Sequence, residues 1–144
     1  MKKSVIFLCT HNSARSQMAE ALLRKMYGDR YTVESAGVEP QGVHPLSTAV
    51  MREIGIDISG SRSKSIMEFE GRLFDVVVTV CEHARESCPF FPGPVIMHKS
   101  FPDPAARPDK RRDALEIFRE VRDEIKKWIE KTFSDEAGIK SESR

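Results

Sequence analysis

A cysteine, five intervening residues, an arginine and a serine form the first chemically pointed pattern in the chain: Cys9-Thr10-His11-Asn12-Ser13-Ala14-Arg15-Ser16. The thiolate is the nucleophilic form of cysteine, and electropositive surroundings favour it. A loop that leaves a buried strand and enters a helix aims successive backbone N–H groups at one point, which suits a tetrahedral oxyanion. Arg15 adds a planar fork of donors that can hold two oxygens at once, which a lysine cannot. These donors are expected to bring the Cys9 pKa below the free value of about 8.5. Ser16 can donate a hydrogen bond to the sulfur, and Asn12 tolerates the left-handed backbone that tight loops often need. Taken singly, Cys9 reads as a small buried hydrophobe and Arg15 as a surface charge. Their spacing, between a strand and a helix, favours the chemical reading.

Two more thiols and a carboxylate follow. Cys81 and Cys88 frame Cys-Glu-His-Ala-Arg-Glu-Ser-Cys, and Asp103 stands between Pro102 and Pro104. His83 and Arg85 lie between the thiols, either favouring thiolate or simply facing solvent. Passive cysteines in a helical cap are one alternative. A metal site of Cys81, His83 and Cys88 is another, but the spacing is not that of structural zinc and no fourth ligand is evident, so no metal is expected. Asp103 either caps the last helix or serves as a general acid.

The elements that must position these groups alternate. Ser4–Leu8 is a short apolar run that reads as a strand buried on both faces. Arg15 to Tyr27 switches to helical spacing, with Met18, Ala19, Ala21, Leu22 and Met26 on one side and Gly28 as C-cap. Tyr31 to Ser35 is a second strand. Pro45 opens a helix carrying Leu46, Ala49, Val50 and Ile54, ended by Gly55. A short helix is expected at Ile66 to Phe69, and strands at Phe74–Val80 and Pro94–Met97. A long amphipathic helix is expected from about Pro108 to Thr132, with Leu115, Phe118, Val121, Ile125, Trp128 and Ile129 inward. The pattern predicts an α/β fold, a four-stranded parallel sheet flanked by helices on both faces. Ligands of such sheets sit beyond the carboxyl ends of the strands, where strand order reverses. Cys9, Cys81 and Asp103 each follow a strand and so share that edge.

The 144 residues suit one domain, expected over residues 1–134, with 135–144 as a flexible tail. Twenty-three Lys and Arg against 22 Asp and Glu leave a charge of +1, so no overall field favours nucleic acid or an anionic membrane. No apolar stretch reaches the roughly 18 residues of a membrane span, and no signal peptide is recognised. A cytoplasmic protein is expected, with its three cysteines reduced and therefore more chemical than architectural. A monomer without a cofactor is the simplest expectation.

Cys9 to Ser16 resembles the phosphate-binding loop of the low-molecular-weight protein tyrosine phosphatases, and its variant residues look more like the thioredoxin-coupled arsenate reductases of the same fold. The resemblance extends to Ser35-Ala36-Gly37, Asp57-Ile58-Ser59, Cys81 to Cys88, Phe101-Pro102-Asp103-Pro104-Ala105 and Val121 to Ile125. It implies a three-layer, flavodoxin-like fold and arsenate, or phosphate and sulfate as analogues, in the loop of residues 10–16. It implies further that Cys9 attacks arsenate while Asp103 protonates the departing oxygen. Cys81 then attacks Cys9, Cys88 attacks Cys81, and thioredoxin reduces the outer disulfide. Helical residues seven apart stand about 10.5 Å apart along the axis, whereas a disulfide needs Cα atoms within about 7 Å, so forming that bond unwinds the segment.

Some reductases of this type also hold a potassium ion beside the loop, which here would use Asn12 and Glu20. Arg62 and Lys64 stand where further oxygen ligands belong, so no potassium site is expected. Lys64 either supplies that charge by pairing with Glu20 or is solvated. The reaction alternatives are a phosphatase working through a Cys9 phosphoenzyme and a redox sensor without turnover. A phosphotyrosine site would favour aromatic walls, yet Ala105-Ala106 follow Asp103-Pro104, leaving Phe90 and Phe91 as possible walls. Binding alone needs no general acid, which argues against the sensor.

Overall fold

The computed structural model describes residues 2–81, 93–106 and 113–134. Cys88, His83, Arg85, Phe90, Phe91, the expected start of the last helix at 108–112 and the tail 135–144 lie outside the described residues. Four strands, β1 (Lys3–Cys9), β2 (Tyr31–Gly37), β3 (Val76–Thr79) and β4 (Val95–His98), form one sheet in the order β2-β1-β3-β4. Every pairing is parallel. From β1 the chain moves to β2 on one side and later returns to β3 on the other, so strand order reverses at β1 and β3. Their carboxyl ends bear Cys9 and, two residues past β3, Cys81.

Alternation along β1 divides the core. Val5 and Phe7 face a large cluster with the helices α1 (Arg15–Tyr27), α2 (Pro45–Glu53) and α3 (Ala114–Phe133), through Met18, Leu22, Val50, Met51, Phe118 and Ile125. Ile6 and Leu8 face a smaller cluster that the 3₁₀ turn Ile66–Phe69 covers, together with Phe74 and Val77. Each fully buried side chain of this size contributes about 1.5–3 kcal/mol.

Local signals explain the helix starts. Pro45 occupies the first turn of α2, and His44 Nδ1 accepts from Leu46 N at 3.0 Å. Asp113 caps α3 by accepting from Leu115 N at 2.9 Å. Gly28 is the C-cap of α1, in right-handed backbone with φ −64° rather than a left-handed turn. The short helix at Ile66–Phe69 is 3₁₀, opened by a capping box in which Ser65 and Glu68 each bond the other's backbone N–H. No helix among the described residues is long and apolar enough to cross a membrane.

Candidate active site

Between β1 and α1 the chain wraps Cys9–Ser16 into a loop whose carbonyls from Cys9 to Ser13 all accept from neighbouring segments. Val38 N donates to Cys9 O at 3.3 Å, Glu39 N to Thr10 O at 2.7 Å and Gln41 N to His11 O at 3.0 Å. Ser63 Oγ donates to Asn12 O at 2.9 Å and His44 N to Ser13 O at 3.0 Å. With the acceptors occupied from outside, the donors of the same peptides are left to converge on the inside, the arrangement an oxyanion requires. Asn12 adopts φ +49°, the left-handed backbone anticipated for it, and is the one non-glycine residue with positive φ among the described residues. Ala14 occupies the N-cap of α1 without a side-chain cap, consistent with a helix start kept open for an anion.

Cys9 lies at the floor of this loop, 2% exposed. Its sulfur is 2.8 Å from Ser16 Oγ and accepts from Asn12 N at 3.2 Å. Burial nevertheless pushes the Cys9 thiol above its ordinary value, with the Cys81 charge adding to the rise. Ser16, through hydroxyl and backbone, and the Arg15 guanidinium pull the other way and do not outweigh it. This corrects the expectation of a lowered pKa. Donor groups are readable from sequence, but the depth at which the thiol is buried is not, and desolvation penalises the charged form.

Arg15 closes one side. Its guanidinium donates to Phe101 O at 3.3 Å and stands 3.6 Å from Asp103 Oδ2. The other Asp103 oxygen, Oδ1, accepts from Ala105 N at 3.0 Å and so opens the 3₁₀ turn Pro104–Ala106. Asp103 therefore caps this short turn and not the last helix, whose cap is Asp113, and its second oxygen stands beside Arg15. Cys81, 4% exposed, sits 3.4 Å from Thr10 Oγ1. Thr10, His11, Arg15, Cys81, Phe101 and Asp103 line a cleft of about 570 Å³. The structure thus brings together Cys9, Arg15, Cys81 and Asp103 from three strand ends.

Asn12 is the hub of the loop and is fully buried. Its Nδ2 donates to Ser16 Oγ at 2.7 Å and to Ser35 Oγ at 2.9 Å, while its Oδ1 accepts from Gln17 Nε2 at 3.0 Å and Lys64 N at 2.8 Å. Glu20, also buried, accepts from Ser35 Oγ in a short hydrogen bond and pairs with Arg24 at 2.6 Å and Lys64 Nζ at 3.4 Å. Lys64 thus pairs with Glu20, the first of the two roles considered for it. Arg62 instead pairs with Glu68 on the surface, at 2.6 Å. The oxygens expected to hold potassium already have protein partners, and an ammonium stands beside them, so these residues do not fit that ion. No group of three or more His, Cys, Asp or Glu side chains among the described residues could hold a metal.

Sequence reasoning gave Gln17 and Ser63 no role and read Gly37 only as the close of the second strand and part of the Ser35-Ala36-Gly37 resemblance, not as a contact of the loop. A Cβ on Gly37 would stand 2.7 Å from Thr10 O, 2.8 Å from Asn12 N and 3.0 Å from His11 C, so the loop can lie on β2 only because position 37 has no side chain. A glycine at the end of a strand that pairs with Cys9 was the available signal.

A cysteine at the floor of an N–H-lined loop, with arginine beside it and aspartate across the cleft, fits the comparison with known families. Residues 4–143 match the family described as low molecular weight phosphotyrosine protein phosphatase. The chain belongs to that family. It is 46% identical to an arsenate reductase of Halalkalibacterium halodurans over 93% of this chain and 96% of the relative. A solved arsenate reductase in a phosphate-binding state superposes with a TM-score of 0.73 at 36% identity, covering 90% of this chain and 95% of the other. The thioredoxin-dependent arsenate reductase Cg_ArsC1′ of Corynebacterium glutamicum aligns with a TM-score of 0.60 at 28% identity, over 88% of this chain and 60% of that one.

Proposed function

We propose that this family member is an arsenate reductase that works by a three-thiol relay and is regenerated by thioredoxin. The carrying observation is a second buried thiol, Cys81, held by Thr10 at the rim of the loop that contains Cys9. Hydrolysis through a Cys9 adduct needs one thiol, whereas reduction needs a second one within reach. The arsenate reductases of Halalkalibacterium halodurans and of the phosphate-binding structure support the substrate, and the Corynebacterium relative supports the reductant.

The inward N–H groups and Arg15 hold three oxygens of arsenate above Cys9. The Cys9 thiolate attacks arsenic, and Asp103 gives a proton to the leaving hydroxyl of hydrogen arsenate, which departs as water. Cys81 then attacks the Cys9 sulfur. A Cys9–Cys81 disulfide forms, the S–As bond breaks, and its electron pair stays on arsenic, which leaves as arsenite in the +3 state. Cys88 attacks Cys81, releasing the Cys9 thiol and leaving a Cys81–Cys88 disulfide, to which the dithiol of thioredoxin supplies two electrons and two protons. Arg15 beside Asp103 assists the first step twice, by neutralising arsenate and by orienting the acid.

The test is arsenite production with thioredoxin, thioredoxin reductase and NADPH for wild type, Cys81→Ser and Cys88→Ser. Both variants are expected to lose multiple turnover while retaining slow para-nitrophenyl phosphate hydrolysis, since arsenate and phosphate are near isosteres. Wild-type arsenite turnover in both variants overturns the relay.

A further inference from the structure

The polar chain behind the nucleophile has a direction. We propose that Lys64 is a positioning residue for Cys9, its ammonium acting as a tethered cation that holds this chain in one polarity. Lys64 Nζ lies 3.4 Å from Glu20 Oε1 and 3.6 Å from Glu34 Oε1, with its side chain 12% exposed and that of Glu20 7% exposed. The Glu20 carboxylate can only accept, so Ser35 commits its proton to it. Ser35 Oγ then has only lone pairs to offer Asn12, which turns its amide NH₂ toward Ser35 and Ser16. Ser16 Oγ, accepting from Asn12, has its own proton left for Cys9 Sγ at 2.8 Å. Lys64 grips the same asparagine from its other end, through its backbone N–H on Oδ1 at 2.8 Å.

The cation matters because water hardly reaches Glu20. A buried carboxylate stripped of its partner costs more than the pair contributes, and the side chains around it rearrange to lower that cost. Arg24 also touches Glu20, but its side chain is 54% exposed and its charge is shared with solvent and with Val33 O. Lys64 is the enclosed partner. It follows that Cys9 reactivity in this protein depends on the charge at position 64 and not on a dissolved monovalent cation, whereas removing that charge opens the place to one. The inference requires Cys9 as nucleophile but not arsenate as substrate, so its test is independent of the reductase assay.

The experiment measures iodoacetamide alkylation of Cys9, read by peptide mass spectrometry, in buffers whose only cation is choline and in buffers of equal ionic strength containing potassium. Wild type is expected to change by less than about twofold between them, because equal ionic strength screens equally. Lys64→Gln is expected to alkylate about tenfold more slowly in choline, the equivalent of about one pKa unit at the thiol, and to recover most of that rate in potassium. Lys126→Gln, an exposed lysine on α3, serves as the control for charge alone. Lys64→Arg, which keeps the charge, is expected to stay near wild type without potassium, and it decides the matter should Lys64→Gln fail to fold by circular dichroism. A Lys64→Gln rate equal to wild type in choline overturns the proposal. So does a slow rate that potassium does not restore, a wild type accelerated by potassium, or a folded Lys64→Arg that alkylates as slowly as the uncharged variant.

Discussion

Gly37→Ala separates the loop's geometry from its chemistry, because it changes no group that touches an anion or a proton. The added methyl would stand 2.7, 2.8 and 3.0 Å from three main-chain atoms of the loop, where ordinary contact begins at 3.4 Å. Each of these atoms must therefore yield by roughly half an ångström, and overpacking of this kind costs about 1–3 kcal/mol. For a domain of this size that corresponds to a melting temperature lower by about 3–10 °C. The catalytic cost is separate. A displacement of 1 Å in a catalytic constellation can cost about 100-fold, so half of it predicts about a tenfold loss in kcat/KM. The assay pairs arsenite formation with thermal melting, and Gly60→Ala is the control because a Cβ there meets nothing within 4 Å. If Gly37→Ala melts and turns over like Gly60→Ala, the loop does not depend on close backbone approach, and its outward-bonded architecture has been misread.

Three other outcomes follow from the site. Because burial raises the Cys9 pKa, the alkylation rate at Cys9 should climb through a midpoint above the free value of about 8.5. Ser16→Ala removes the strongest opposing pull and should move that midpoint further up; a wild-type midpoint at or below the free value contradicts the desolvation argument. Asp103→Asn should lower kcat for arsenate by about 10²–10⁴-fold while Cys9 alkylates at the wild-type midpoint, because a general acid acts on the leaving oxygen and not on the thiol.

Much of this was readable in the residues. The Cys9–Arg15–Ser16 spacing carried the loop, since those side chains must converge once a strand and a helix flank them. The left-handed Asn12 was anticipated because asparagine is one of the few residues that accept that backbone. The span Arg15–Tyr27 emerged as a helix with the expected bounds. What escaped acts through main chain across long sequence separation. Gly37 faces Asn12 and Ser63 bonds His11 O, contacts that no local pattern encodes. Gln17 and Glu20 sit on the helix face that periodicity would leave to solvent, yet they are buried because the segment around Lys64 lies over them. The Cys9 pKa was misjudged for a related reason: donors can be counted in a sequence, whereas exclusion of water is a property of the whole assembly.

The outward carbonyls of the Cys9–Ser13 stretch tie it to residues 38, 39, 41 and 44 of the connection after β2 and to residue 63 of the one after α2. Such a loop has no independent melting of its own, because loosening it means detaching several neighbours at once. Amide exchange within the cradle should therefore proceed only through cooperative opening, and loss of anion affinity on heating should coincide with loss of the fold. The binding loop would then work as an internal gauge of nativeness, fully competent or gone.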